Sequence, residues 1–159
     1  MNERRKTYNY IGDKMRKYCI ILIGVIAILL LFWFLRTTQN PMASLSFSSE
    51  GILYDCSEKE VEELLSLDLS LIKEFRFLRS LSNFDYETIF VAQCEEVNRA
   101  AIDLAVDQYC LHLYQRFPTK KKEIKSQIQR YDKGEYYIVV ISKNADTIIE
   151  EIKERLAIA

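Results

Sequence analysis

The chain has 159 residues, a formal net charge of −1 and only four Gly and two Pro. That composition excludes collagen-like repeats, long Gly/Pro linkers and folds made of many tight turns. The charge is unevenly spread: residues 1–17 carry six basic and two acidic side chains, residues 36–159 carry 16 basic and 21 acidic ones. A mildly acidic body is a poor partner for nucleic acid, because phosphate contacts need a basic face.

In chain order, the first element is the run YCIILIGVIAILLLFWFL at 18–35, which has no charged residue. As a helix rising ~1.5 Å per residue it would span ~27 Å, close to the apolar thickness of a bilayer. Trp33 and Tyr18 stand at its two ends, where aromatic rings favour the interface. A transmembrane helix is therefore expected over 18–35. Six basic residues precede it, and after Arg36 none follows until Lys59. The positive-inside rule then places 1–17 in the cytoplasm as a basic tail, and the rest of the chain outside. The run is longer than a signal-peptide core and ends in bulky FWFL, so a retained single-pass anchor is expected over a cleaved signal. Cys19 lies at the start of the run, not just after it, so the lipoprotein route does not fit.

Residues 36–54 read as a polar stalk that becomes extended near 45–54, and 55–159 as an extracytoplasmic domain. In CSEKEVEELLSL, Ser57 and Glu60 form a capping-box signal, and Val61, Leu64 and Leu65 make an inward face. Strands are expected at about 72–82 and 86–94, with SNFD as the turn between them. A long helix should follow in EEVNRAAIDLAVDQYCLHLYQRF. Arg99, Asp103, Asp107, His112 and Arg116 would form its polar stripe, with Val97, Ala101, Leu104, Leu111 and Tyr114 facing inward. Pro118 ends it.

TKKKEIKSQIQRYDKG reads as a shorter helix, with Ile124, Ile128 and Tyr131 at helical spacing and Gly134 stopping it. EYYIVVIS is a central strand, and Asn144 caps the last helix, whose Ala145, Ile149, Ile152 and Leu156 face inward. The expected class is α+β: a transmembrane helix, then a small, mainly antiparallel sheet in the order α-β-β-α-α-β-α, with helices on one face.

From about residue 86 to 156 the chain resembles a family of uncharacterised extracytoplasmic proteins of Gram-positive bacteria, domain of unknown function 4358. The matching features are the strand ETIFVAQC, a long helix ending in LHLYQRFP, a short basic helix, the strand opened by KGEYYIVVIS and a closing amphipathic helix. The resemblance covers about half of the chain. It implies a placement outside the membrane and supplies no activity and no site residues. The chain departs from the family in lacking a lipobox cysteine and in carrying three cysteines in the domain.

Few residues point to chemistry. His112 is the one histidine; it reads as a solvated member of the polar stripe. Asp103 and Asp107 lie one helical turn apart and read as a solvated pair balanced by Arg99. No nucleophile elbow and no Gly-rich phosphate loop occurs. Cys56, Cys94 and Cys110 allow at most one pair within the chain and read as buried small apolar residues, without metal spacing. No cofactor, metal or enzyme activity is expected.

The basic cluster Arg116, Lys120, Lys121, Lys122 and Lys125 stands out. Lysines at the start of a helix oppose its dipole, so their placement is locally unfavourable. Together with Tyr131 they form a possible interaction surface for an envelope protein, an anionic wall polymer or lipid headgroups. The expected function is a membrane-anchored binding module of the cell envelope. The alternatives are an assembly subunit acting through its transmembrane helix and, last, an envelope enzyme.

Overall fold

A computed structural model describes residues 22–30, 42, 45 and 51–158. The chain divides into two compact units, Met1–Asn40 and Pro41–Ala159.

In the first unit, residues 22–30 are helical. Among the described residues no helix is long and apolar enough to cross a membrane. The transmembrane helix expected over 18–35 is corrected accordingly, and 18–21 and 31–35 lie outside the described residues.

The second unit is α+β. Its elements are β1 (Leu53–Asp55), α1 (Glu58–Leu65), β2 (Ile72–Ser80), β3 (Thr88–Cys94), α2 (Arg99–Arg116), α3 (Lys121–Gln127), β4 (Ile128–Lys133), β5 (Tyr136–Ile141) and α4 (Ala145–Arg155). The five strands form one sheet in the order β1-β2-β3-β5-β4, and every pair is antiparallel.

Three departures from the expected architecture stand out. A short β1 pairs with β2, Leu53 opposite Ser80. The helix expected to run on to Gly134 stops at Gln127, and the next six residues form β4. Ile124, Ile128 and Tyr131 fit a helical spacing, but 128–133 gain a full ladder with β5, Ile128 opposite Ile141 and Lys133 opposite Tyr136. Gly134 begins the turn between these strands at φ 65°, a left-handed value that glycine adopts without strain.

The third departure is that helices cover both faces. Strand side chains alternate, so one sheet face presents Phe77, Phe90, Ala92, Tyr137 and Val139 to α1, α2 and α3. The other presents Leu78, Ile89, Val91, Ile138 and Val140 to α4, with Met42 and Leu45. β3 and β5 lie at the centre with both faces covered, which is why each reads as a continuous apolar run.

Local signals set several ends. The Ser57–Glu60 capping box opens α1. Asn144 occupies the N-cap of α4 but its side chain makes no capping bond. Ser142 serves there instead, its Oγ accepting from the Asn144 amide at 3.2 Å.

α2 turns the reverse side inward from the one its polar stripe suggests. Ile102, Ala105, Val106, Tyr109, Cys110 and Leu113 are buried. Val97, Leu104 and Leu111 are 79%, 60% and 55% exposed. The inward residues meet Phe77 and the other aromatic rings of the sheet, with Phe77 and Tyr109 edge-to-face at 5.5 Å.

Candidate functional site

The corner where α2 passes into α3 gathers the basic cluster. Phe117 is buried and its amide donates to the Leu113 carbonyl at 2.8 Å, closing α2. Pro118 then starts a single tight turn, a position where its missing N–H leaves no bond unmade. Ile124, fully buried, holds α3 against the core.

Four of the five cations at this corner lie on aromatic faces. The Arg116 guanidinium sits 5.3 Å from the Phe117 ring centre. Lys120 Nζ sits 5.3 Å from that of Tyr86. Lys121 and Lys125 both approach Tyr114, at 5.8 Å and 5.5 Å. Each such contact is worth about 0.5–1 kcal/mol at an exposed site and orients the charge without neutralising it.

Their hydrogen bonds also go to neutral acceptors. Arg116 Nη2 donates to Asn83 Oδ1 at 2.8 Å and Lys120 Nζ to the Phe84 carbonyl at 3.0 Å. Among the described residues none of Arg116, Lys120, Lys121, Lys122 and Lys125 forms an ion pair. Tyr131 does not join them. It packs on the α4 face of the sheet, with Lys153 Nζ 5.2 Å from its ring centre.

Beside the corner, a cleft of about 100 Å³ opens between α1 and α2. Its lining includes Arg79 and Thr88 from the sheet, Leu64 from α1, and Tyr109, His112 and Arg116 from α2. Arg79 shares its strand parity with Phe75 and Phe77, so its side chain is directed to the face covered by α1, α2 and α3. Its Nε donates to Tyr54 Oη at 2.8 Å, and Tyr54 donates in turn to Glu60 Oε1 at 3.0 Å. The guanidinium is thereby fixed at its Nε, and Arg79 lines the cleft.

Two carboxylates also border the cleft, and both are committed elsewhere. Asp85 Oδ1 accepts from the amides of Tyr86 and Glu87, at 2.8 Å and 3.3 Å. Glu87, 6% exposed, accepts from Ser142 Oγ at 2.6 Å and from the Gly51 amide at 3.3 Å. A side chain at Gly51 would place its Cβ 3.1 Å from Asp85 Oδ2, so this carboxylate too is turned toward Gly51. Deeper in, Tyr109 shares a 3.0 Å hydrogen bond with Thr88 Oγ1, and burial pushes its phenol up to about 12. Burial also raises the Tyr86 phenol, and its contact with Glu123 adds to the effect.

Asp103 and Asp107 are not a free solvated pair. Arg130 of β4 reaches both, its Nη1 to Asp103 and its Nη2 to Asp107, each at 2.5 Å. Tyr137 donates to Asp103 as well. Arg99, expected to balance the pair, instead binds Asp132 at 2.6 Å. These contacts clamp α2 to the sheet edge.

Cys56, Cys94 and Cys110 are buried free thiols, pushed up above their ordinary pKa by burial, so they are poor nucleophiles. Among the described residues no group of three or more His, Cys, Asp or Glu side chains is placed to hold a metal ion.

Sequence reasoning found the basic cluster and missed the cleft. Arg79 carried a usable signal, a charge in register with inward-facing phenylalanines. Glu87, at the start of an apolar strand, carried another. His112 is exposed, as expected of the polar stripe, but it stands at the mouth of the cleft.

No family profile matches the chain, and neither does any curated protein or solved structure.

Proposed function

We propose that the chain is an interaction module of the cell envelope whose α2–α3 corner engages an anionic wall polymer. The supporting observation is a cluster of five cations, none ion-paired among the described residues, within an otherwise acidic domain. Charges held on ring faces are pre-oriented, so less side-chain entropy is lost when a polyanion arrives.

The direct test uses long-chain polyphosphate as the probe and the full chain as the receptor. Binding is expected to weaken steeply between about 50 and 200 mM salt. It should be lost in the charge-reversed variant K120E/K121E/K122E/K125E. Equal binding by the variant and the parent chain removes the reading. Placement is tested separately, by labelling an E154C variant in intact cells with a membrane-impermeant thiol reagent. If reaction occurs only after lysis, the domain never meets a wall polymer.

A second reading, assembly with another envelope protein, is favoured by the stripe Ala101, Leu104 and Leu111 that α2 leaves exposed. Its spacing of three and seven residues is that of a helix-pairing seam. An L104E/L111E variant that still binds polyphosphate but loses a co-purifying subunit would support it.

A further inference from the structure

We propose that the cleft between α1 and α2 is a receptor for a small oxyanion, a phosphate or carboxylate group held between Arg79 and Arg116 with His112 at the mouth. It rests on the anionic-partner reading only through Arg116, which both surfaces share.

The first argument is orientation. Arg79 is stacked over the Tyr54 ring, 5.2 Å from its centre, and its Nε is tied to the same residue's hydroxyl. Arg116 is stacked on Phe117 and anchored to Asn83. Two guanidinium groups, each fixed at one end by neutral partners, line one cleft. A planar fork whose direction is already set recognises an oxyanion with little further ordering.

The second argument is the missing counter-charge. Among the described residues no carboxylate forms an ion pair with Arg79, His112 or Arg116. Asp85 and Glu87 line the cleft too, but their carboxylates accept from backbone amides and, at Glu87, from Ser142, and neither is paired with an arginine. Glu60, nearest to Arg79 through Tyr54, is held by the Ser57 cap. Arg79 and Arg116 therefore lack the direct ion pair that a purely structural arginine acquires.

The third argument is size and wall chemistry. About 100 Å³ is the room of roughly three water molecules, which suits a small headgroup. The walls Leu64, Tyr109 and Leu113 keep the local dielectric low, and charge-assisted bonds gain from that.

His112 gives the test a built-in reporter, since it is the one histidine of the chain and its ring signals need no assignment. The full chain is titrated with inorganic phosphate and, separately, with acetate, at ionic strength held constant with chloride. A saturable shift of the His112 ring resonances is expected with at least one of them, and the comparison shows which oxyanion is preferred.

The R79Q substitution is expected to weaken the preferred anion by about tenfold, the loss of one charge-assisted pair. R79K should recover part of it. The K121E/K122E/K125E variant should retain anion affinity within about twofold while losing polyphosphate, because pocket and corner are separate contacts. If R79Q does not fold by circular dichroism, R116Q takes its place, because its side chain is exposed. A linear shift that chloride reproduces, or a saturable one unchanged in the folded arginine variant, overturns the proposal. Absence of polyphosphate binding by the parent chain overturns only the reading of the corner.

Discussion

Tyr54 and Arg79 face each other across β1 and β2, with the guanidinium over the ring and Nε bonded to the phenol oxygen. The same hydroxyl reaches Glu60 in α1. One side chain thus joins the short edge strand, its neighbour and the first helix. Tyr54→Phe keeps the ring and removes both hydrogen bonds. It is expected to lower stability by about 1 kcal/mol in urea denaturation, with an unchanged denaturant slope.

The two sides of α2 should respond in opposite ways. Ile102 is fully buried and Leu104 is 60% exposed. Ile102→Ala should cost about 3 kcal/mol through lost contacts and a cavity. Leu104→Ala should stay within about 0.5 kcal/mol. If the two costs were reversed, the helix would lie the other way round.

Arg130 should not be replaceable by lysine. Its two Nη groups hold two carboxylates one turn apart, a geometry that a single ammonium does not reproduce. The side chain is 30% exposed, so solvent screening moderates the effect. Arg130→Ala and Arg130→Lys are both expected to lose about 1 kcal/mol, read by chemical denaturation at low salt.

Alkaline pH should destabilise the domain. Burial raises the Tyr137 phenol, with the Asp103 hydrogen bond adding to the effect, and burial lifts Tyr109 to about 12. A raised folded-state pKa means that the native chain keeps protons which the unfolded chain releases. This contribution is whole below pH ~10, the ordinary tyrosine value, and is lost as pH climbs from there through the folded values. Stability measured by denaturant melts should fall from pH ~10 upward, and Tyr137→Phe should make that fall shallower.

Gly134 should resist substitution on backbone grounds alone. Nothing lies within 4 Å of a Cβ built there, yet its φ is 65°. Gly134→Ala is expected to cost about 1 kcal/mol, with Gly134→Asn closer to the parent chain, as thermal melts would show.

Much of the sheet was readable from local pattern. β3 and β5 are apolar runs because both faces are covered, and the Ser57–Glu60 box marks α1 without ambiguity. The face of α2 was not readable, because Leu104 and Leu111 on its outer side are as apolar as Ile102, Val106 and Leu113 on its inner side. Period alone cannot choose between two such stripes; the rings of Phe77 and Phe90 on the sheet do. β4 was lost for a similar reason. IQRYDK becomes a strand only because β5 supplies its ladder, a partner that a local window does not contain.

The cationic residues of the candidate surface were visible as a charge run, but the neutral anchoring that keeps them unpaired needs the fold. Tyr131 fell on the other face because strand alternation sends it there.

The clamp between β4 and α2 has a consequence for how the domain breathes. An edge strand is ordinarily the part of a sheet that frays first, opening and closing on its own. Here Arg130 and Asp132 of β4 are bonded to Asp103, Asp107 and Arg99 of α2. The strand cannot peel away without releasing charges held by the 18-residue helix. Amide protons of β4 and α2 should therefore exchange with solvent in one shared event, at a free energy nearer to that of global unfolding than to that of a frayed edge.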